Sequence, residues 1–290
     1  MRNPCANAKV CATVTAFSVA VWNVRCLGVR FMLPLVRYIN RDQDTQRRDF
    51  VEAGAKAQGY ATERIPAING YADDFASVYA DRIGGAIGPG TQACFLSHAA
   101  TWARIADGDA PYGLVCEDDT TFLRPAQELE PYLAAFDRYD ILFFNDRSIA
   151  YRDYAGLDPS QPLISIDEAW TAAMDKPKNP AHPRFGRTIR DIRAPGGDFY
   201  ALTREAAAKL VAEALRDRAS IDVDSWLFYK CLDLDHIHRH RRRFIPRYMR
   251  GAQVKPLIPP LNGAIVDRPF ATTDARRAGG RVRNPNRALV

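Results

Sequence analysis

The chain has 290 residues, 47% of them apolar and 26% charged, which is the make-up of a soluble globular protein with room for one large domain or two small ones. Its net charge of +6 invites a nucleic-acid reading, but residues 1–31 and 271–290 carry +4 each, which leaves −2 for residues 32–270. A slightly acidic body with little aromatic interleaving excludes a specific nucleic-acid surface, and the basic arms read as solvated or as peripheral contacts with an anionic membrane surface.

Cys5, Cys11 and Cys26 lie in the first arm, while Cys94, Cys116 and Cys231 are scattered through the body with no CxxC pair. That usage fits a reducing compartment with buried thiols better than a disulfide framework or a zinc site. Val10 to Val24 is apolar and follows Arg2 and Lys9, loosely like a signal peptide, yet it is too short and too polar to span a bilayer. The preferred expectation is a protein that begins at Met32, with residues 1–31 an over-long start; a weak anchor is the alternative. The main domain is expected over 32–255, with 256–290 a largely disordered arm.

Leu33 to Ile39 reads as the first strand, Asp44 or Thr45 as a helix cap, and Arg47 to Gly59 as a helix with a glycine stop. Arg64 to Ile68 is a second strand, and this βαβ order favours an α/β fold, a mostly parallel central sheet flanked by helices. Thr91 to Ala106 is a helix with His98 and Trp102 on one face. Leu129 to Phe136 is another, and Asp140 to Asp146 is a buried strand. Residues 147–194, polar and weakly patterned, read as a substrate loop or lid. Phe199 to Thr203 is a strand, Arg204 to Leu215 an amphipathic helix, and the remainder an arm.

Chemistry concentrates at the strand Tyr112-Gly113-Leu114-Val115-Cys116, which runs into Glu117-Asp118-Asp119. Three adjacent acids repel one another unless a cation compensates, and magnesium or manganese suits carboxylate oxygens. If the backbone stays extended, Glu117 and Asp119 share a face and Asp118 points the other way. An acidic turn capping the next element is the plain alternative. His236, His238 and His240 alternate within an arginine run, whose density of positive charge disfavours a metal and suits phosphates of an acceptor lipid or a membrane surface.

Several segments together resemble glycosyltransferase family 25. They are Ile39-Asn40-Arg41-Asp42 with Arg47-Arg48, Arg64 to Gly70, Cys94-Phe95-Leu96-Ser97-His98 with Trp102, Leu114 to Asp119, Tyr200 to Glu205, and Asp224 with Leu227. The resemblance covers roughly residues 33–260. It implies a GT-A-like nucleotide-sugar-binding fold, a UDP-sugar donor, most often UDP-galactose, a Mn2+ or Mg2+ ion, and inversion at the anomeric carbon. It implies too a saccharide or glycolipid acceptor of the bacterial cell envelope and work on the cytoplasmic side, peripheral on the inner face of the membrane. On this mapping Asp119 binds the metal and Glu117 holds the metal shell or ribose, with Asp118 secondary. Asn40, Asp42, Ser97 and His98 lie with the donor. Asp224 is the favoured base for the acceptor hydroxyl, Asp222 is close behind it, and a helix cap is the competing role for Asp224. Packing is the competing role for His98. Ala93, Gln43 and Asp198 depart from the family pattern, Asp198 reading as an extra site acid or a turn residue. A non-catalytic sugar- or nucleotide-binding protein with the same fold is the rival class.

Overall fold

The computed structural model describes residues 34–175, 196–233 and 254–273. The apolar stretch at 10–24, the arginine-histidine run and the last residues of the chain lie outside them. A seven-stranded sheet runs through the described residues in the order β2-β1-β3-β7-β5-β8-β6. Its strands are β1 Leu35–Asn40, β2 Ala61–Pro66, β3 Tyr112–Glu117, β5 Ile141–Phe143, β6 Leu163–Ser165, β7 Phe199–Thr203 and β8 Gly263–Val266. A short antiparallel pair, β4 Thr121–Phe122 and β9 Ala271–Thr272, lies apart from it.

Side chains alternate across the sheet with the two-residue period of a strand. Val115, Tyr200, Leu202, Ile141, Phe143 and Ile265 enter one core, while Leu114, Cys116, Phe199, Ala201, Leu142, Ala264 and Val266 enter the other. Helices α3 Pro89–Ala106, α6 Ile166–Asp175, α7 Arg204–Asp217 and α8 Val223–Lys230 cover the first face, through Trp102, Trp170, Leu210 and Trp226 among others. Helix α1 Thr45–Ala57 and the turns at 126–137 cover the second with Val51, Ala55, Leu129 and Tyr132. Burial on both faces explains why β3 and β5 read as unbroken apolar runs. Gly113 is required where α3 crosses β3, because a Cβ there would lie 2.6 Å from Ile105 Cδ1.

The α/β architecture expected from the sequence holds, and the sheet is mixed. β2-β1-β3 is parallel, as the βαβ order requires, and so is β5-β8, whereas β7 runs antiparallel to both β3 and β5. Three expectations give way. The segment read as a loop from residue 147 instead forms α5 Asp146–Ala155, β6 and α6, whose short apolar stretches are too brief to show a period in sequence. The boundary at 255 is also wrong for the sheet. After the prolines at 256–260, Gly263-Ala264-Ile265-Val266 inserts between β5 and β6, fully buried. The expected 129–136 helix is a series of single turns, with 3-10 turns on either side of α4 Glu130–Leu133.

Helix α8 is held from below by charge. Lys230 is fully buried, its Nζ 2.7 Å from Glu213 and 2.5 Å from Asp217 on α7, and 2.6 Å from the Lys255 carbonyl. Above it, Trp226 stacks on Trp102 of α3 at 5.4 Å. These contacts fix the two helices that carry Asp224 and His98. No helix among the described residues is long and apolar enough to cross a membrane.

Candidate active site

The C-terminal ends of β1, β2 and β3 open onto a cleft of about 490 Å3. Arg47 at the start of α1, Ile68 to Tyr71 after β2, Cys94, Ser97 and His98 on α3, and Glu117 and Asp118 line it. Strand ends in an α/β sheet are where ligands bind, because the backbone turns away and leaves a crevice.

The three acids separate there. β3 ends at Glu117, and Asp118 and Asp119 enter a turn closed by Thr120 N donating to the Glu117 carbonyl at 3.3 Å. The extended register that would place Glu117 and Asp119 on one face therefore stops one residue into the triplet. Asp118 is buried and internally satisfied. Asn40 Nδ2 and Arg47 Nη1 each donate to it at 2.8 Å, which ties β3 to the β1–α1 turn. Glu117 points to the cleft, its Oε1 3.5 Å from His98 Nε2 and 4.0 Å from Cys94 Sγ. Burial pushes its pKa up, but His98, Arg147 and Arg47 prevail and hold it below the usual carboxylate range. Asp119 goes the other way, pushed up to about 6 by burial and by the charge of Glu117. Its Oδ1 is buried with no hydrogen-bond partner among the described residues. An orphaned carboxylate oxygen beside an ionised one suits a hard divalent cation.

His98 is fully buried, its Nδ1 2.9 Å from the Tyr200 hydroxyl, which also accepts from Trp102 Nε1 at 2.7 Å. This packing role coexists with a place on the cleft wall. Ser97 clips α3 to the loop after β2, its Oγ accepting from Ile68 N at 2.9 Å and donating to the Ala93 carbonyl at 2.7 Å. Asn40 is buried, donating to Asp118 and to the Asp44 carbonyl while accepting from Arg64 Nε at 3.2 Å. Asp42 is exposed and paired with Arg64. Neither Asn40 nor Asp42 lines the cleft. Asp44, with Thr45 the expected cap, holds the N-cap position of α1, but its carboxylate makes no capping bond and pairs with Arg41 at 2.7 Å.

Beyond Glu117, the chain turns into helix α8 at Val223 rather than staying extended through residues 222–224. Asp222 is the N-cap of α8, its Oδ1 accepting from Ser225 N at 2.8 Å. The cap role considered for Asp224 thus belongs to Asp222. Asp224, in the first turn, accepts from Gly197 N at 2.6 Å and from Arg147 Nη1 at 2.7 Å. Arg147 also forks onto Asp198, with Nε donating to Oδ2 at 2.8 Å and Nη2 to Oδ1. Asp224 and Asp198 keep Arg147 protonated against its burial. Asp198 is pulled both ways. Burial, with the charges of Asp224 and Glu117, pushes it up to about 7 while the guanidinium pulls down.

Asp198 stood out in the sequence only as a departure from the family pattern, and Arg147 did not stand out at all. Its one signal is position, directly after the acid that ends the 140–146 run. Gly196 is the other missed requirement, since a Cβ there would lie 1.5 Å from Arg147 Nη2. Asn145 Nδ2 holds that glycine by its carbonyl at 2.7 Å.

A crevice at the ends of parallel strands, with Glu117 and Asp118 on its wall, lies where α/β enzymes bind their ligands. The chain belongs to glycosyltransferase family 25 (LPS biosynthesis protein), whose model matches residues 36–226. Among solved structures it is similar to mouse xyloside xylosyltransferase 1 in its apo form, with 14% identity, a TM-score of 0.32 and coverage of 72% of this chain and 70% of that one. It is also similar to galactosyltransferase LgtC in complex with donor and acceptor sugar analogs, with 12% identity, a TM-score of 0.28 and coverage of 63% and 64%. Likenesses this slight carry no argument of their own. No curated protein matches the chain.

Proposed function

We propose that the protein is a metal-dependent inverting glycosyltransferase that moves a hexose, galactose in the favoured case, from a UDP-sugar to a hydroxyl of a cell-envelope saccharide such as lipooligosaccharide. The observation that carries this reading is Glu117 on the cleft wall, close enough to Asp119 to raise its pKa and clustered with Asp224, in a chain of this family.

The donor lies in the cleft with its diphosphate toward Glu117, and Arg47 at the N-terminal turn of α1 offers a cation to it. Glu117 and Asp119 are the residues to hold Mn2+ or Mg2+, which when bound supplies positive charge against the departing diphosphate. Asp119, otherwise drawn toward protonation, is ionised by that neighbour. Asp224 is the base, taking the proton of the acceptor hydroxyl as its oxygen attacks the anomeric carbon and the bond to UDP breaks. Gly197 N and Arg147 hold the Asp224 carboxylate in one orientation. Asp222 caps the helix beneath it and is the second choice for the base. Asn40 and Asp42 act indirectly, Asn40 by fixing Asp118. Peripheral attachment to an anionic membrane surface would bring a glycolipid acceptor to this side.

The test is UDP release by the chain over a panel of UDP-sugars, with manganese and with EDTA, beside Asp119→Asn. Manganese-dependent release from one sugar, lost in the variant, is expected. If no UDP-sugar turns over with metal present, the non-catalytic binding reading takes its place.

A further inference from the structure

Among the described residues, two clusters of metal-ligating side chains meet at Glu117, each with ligand atoms within 4.8 Å of one another. In the first, Glu117 with Asp198 and Asp224, a cation is already in place, because Arg147 pairs with both aspartates. The second is Cys94, His98 and Glu117. There a fully buried nitrogen, His98 Nε2, has no hydrogen-bond partner among the described residues and faces the Glu117 carboxylate. We propose that Cys94, His98 and Glu117 form a three-ligand site for a borderline-soft divalent cation of the zinc type, open to the cleft at its fourth position.

Cys94 and His98 stand four residues apart on α3, one turn above the other on the same face, so a rigid helix presents sulfur and nitrogen together. Glu117 meets them from the end of β3. Tetrahedral zinc bonds place a nitrogen and an oxygen ligand about 3.3 Å apart, and a sulfur and an oxygen about 3.5 Å apart. Glu117 Oε1 lies 3.5 Å from His98 Nε2 and 4.0 Å from Cys94 Sγ, within a few tenths of an ångström of those spans, and the Cys94 and His98 ligand atoms lie within 4.8 Å of each other. A ligating histidine donates its other ring N–H to a neighbour that fixes the ring, and the Tyr200 hydroxyl stands 2.9 Å from His98 Nδ1 to receive it. In the metal-free protein His98 Nε2 bears on Glu117 as a proton donor, so the ion would take the place of that proton while Nδ1 carries the one shared with Tyr200.

Charge agrees. A thiolate and a carboxylate neutralise a dication, and binding releases the Cys94 proton to solvent. Sulfur and imidazole select zinc over the harder magnesium and manganese, which the oxygens of Glu117 and Asp119 suit. All three ligands line the cleft, so the open position faces it. The site stands apart from the transferase reading, but one consequence rests on it: zinc would draw Glu117 away from the donor's metal and inhibit.

The experiment is a cobalt titration of the reduced full chain without nucleotide, read by absorbance. One equivalent of Co2+ should give the near-ultraviolet band of a cobalt-thiolate bond and the strong visible bands of four-coordinate cobalt, and zinc should bleach both. Cys94→Ser should lose the near-ultraviolet band, and Tyr200→Phe should weaken zinc binding about tenfold. On the unaltered protein, zinc should slow alkylation of Cys94, mapped by mass spectrometry, so the proposal does not depend on a variant that folds. A band that survives Cys94→Ser would place the metal on other thiols and overturn the site, as would zinc at millimolar concentration leaving Cys94 unprotected. Because no sugar donor enters, a chain inert toward every UDP-sugar but binding cobalt through Cys94 loses only the transferase reading.

Discussion

In the β2-β1-β3 half of the sheet all strands run parallel, and their ends supply a cleft with carboxylates partly open to it. In the β7-β5-β8-β6 half the directions are mixed, with β5 and β8 parallel between antiparallel neighbours, and the acids beside the site, Asp198 and Asp224, are already paired with Arg147. The two halves meet at Glu117. One half leaves charge unpaired, at Asp119 above all, and the other compensates charge internally. Unpaired buried charge is costly, so it persists where a ligand can settle it, whereas the paired half orients groups without needing one.

The sharpest break of this comparison is Glu117→Gln. It should lower UDP release by about 10²-fold or more, the scale for removing a group that stabilises developing charge, with little change in melting temperature. Arg147→Met should do the reverse and unfold the paired half. Leaving Asp198 and Asp224 without their cation costs about 3 kcal/mol at pH 8, read by denaturant unfolding. The loss should shrink near pH 5, where Asp198 can take a proton.

Proton uptake distinguishes the halves next. In the metal-free protein Asp119 and Asp198 have pKa values raised from 3.8 to about 6 and about 7. The folded state then binds more protons than the unfolded chain between these values. The stability this contributes is fully present below about 4 and is lost as pH rises through about 6 and about 7. Melting temperature should fall over that range, and saturating manganese should flatten the fall. A metal-free curve that rises instead would mean both acids are ionised throughout. The smallest effect belongs to Asp222→Ala, which removes a helix cap worth about 1 kcal/mol. Hexose transfer from the UDP-sugar to an acceptor should survive it and fail in Asp224→Ala; the opposite result would assign the base to Asp222.

Much of the parallel half was legible in the sequence. Local apolar runs name β1 and β3, and the acids after Cys116 announce a site because nothing local compensates them. The internally paired half was harder to read. Arg147 sat in a stretch without period, and Asp198 stood out only because it departed from a pattern. The short strand β8 was hidden behind prolines in what read as an arm. The cysteines, judged by spacing, spoke against a zinc site, since spacing sees only ligands close in sequence and Glu117 lies far from Cys94 in the chain.

By itself the sequence determined the α/β class and the acidic strand end, because periodicity and like-charge crowding are properties of neighbours along the chain, and the order of its motifs resembled the family that the match over residues 36–226 shows. Only the tertiary structure decided which acid is spent on Asn40 and Arg47, which one caps α8, and which faces the cleft. Those roles depend on partners brought from 70 or more residues away for Asp118 and on backbone turns at β3 and α8. A carboxylate's role is set by the cations and N–H groups that reach it, and folding alone determines which of them do.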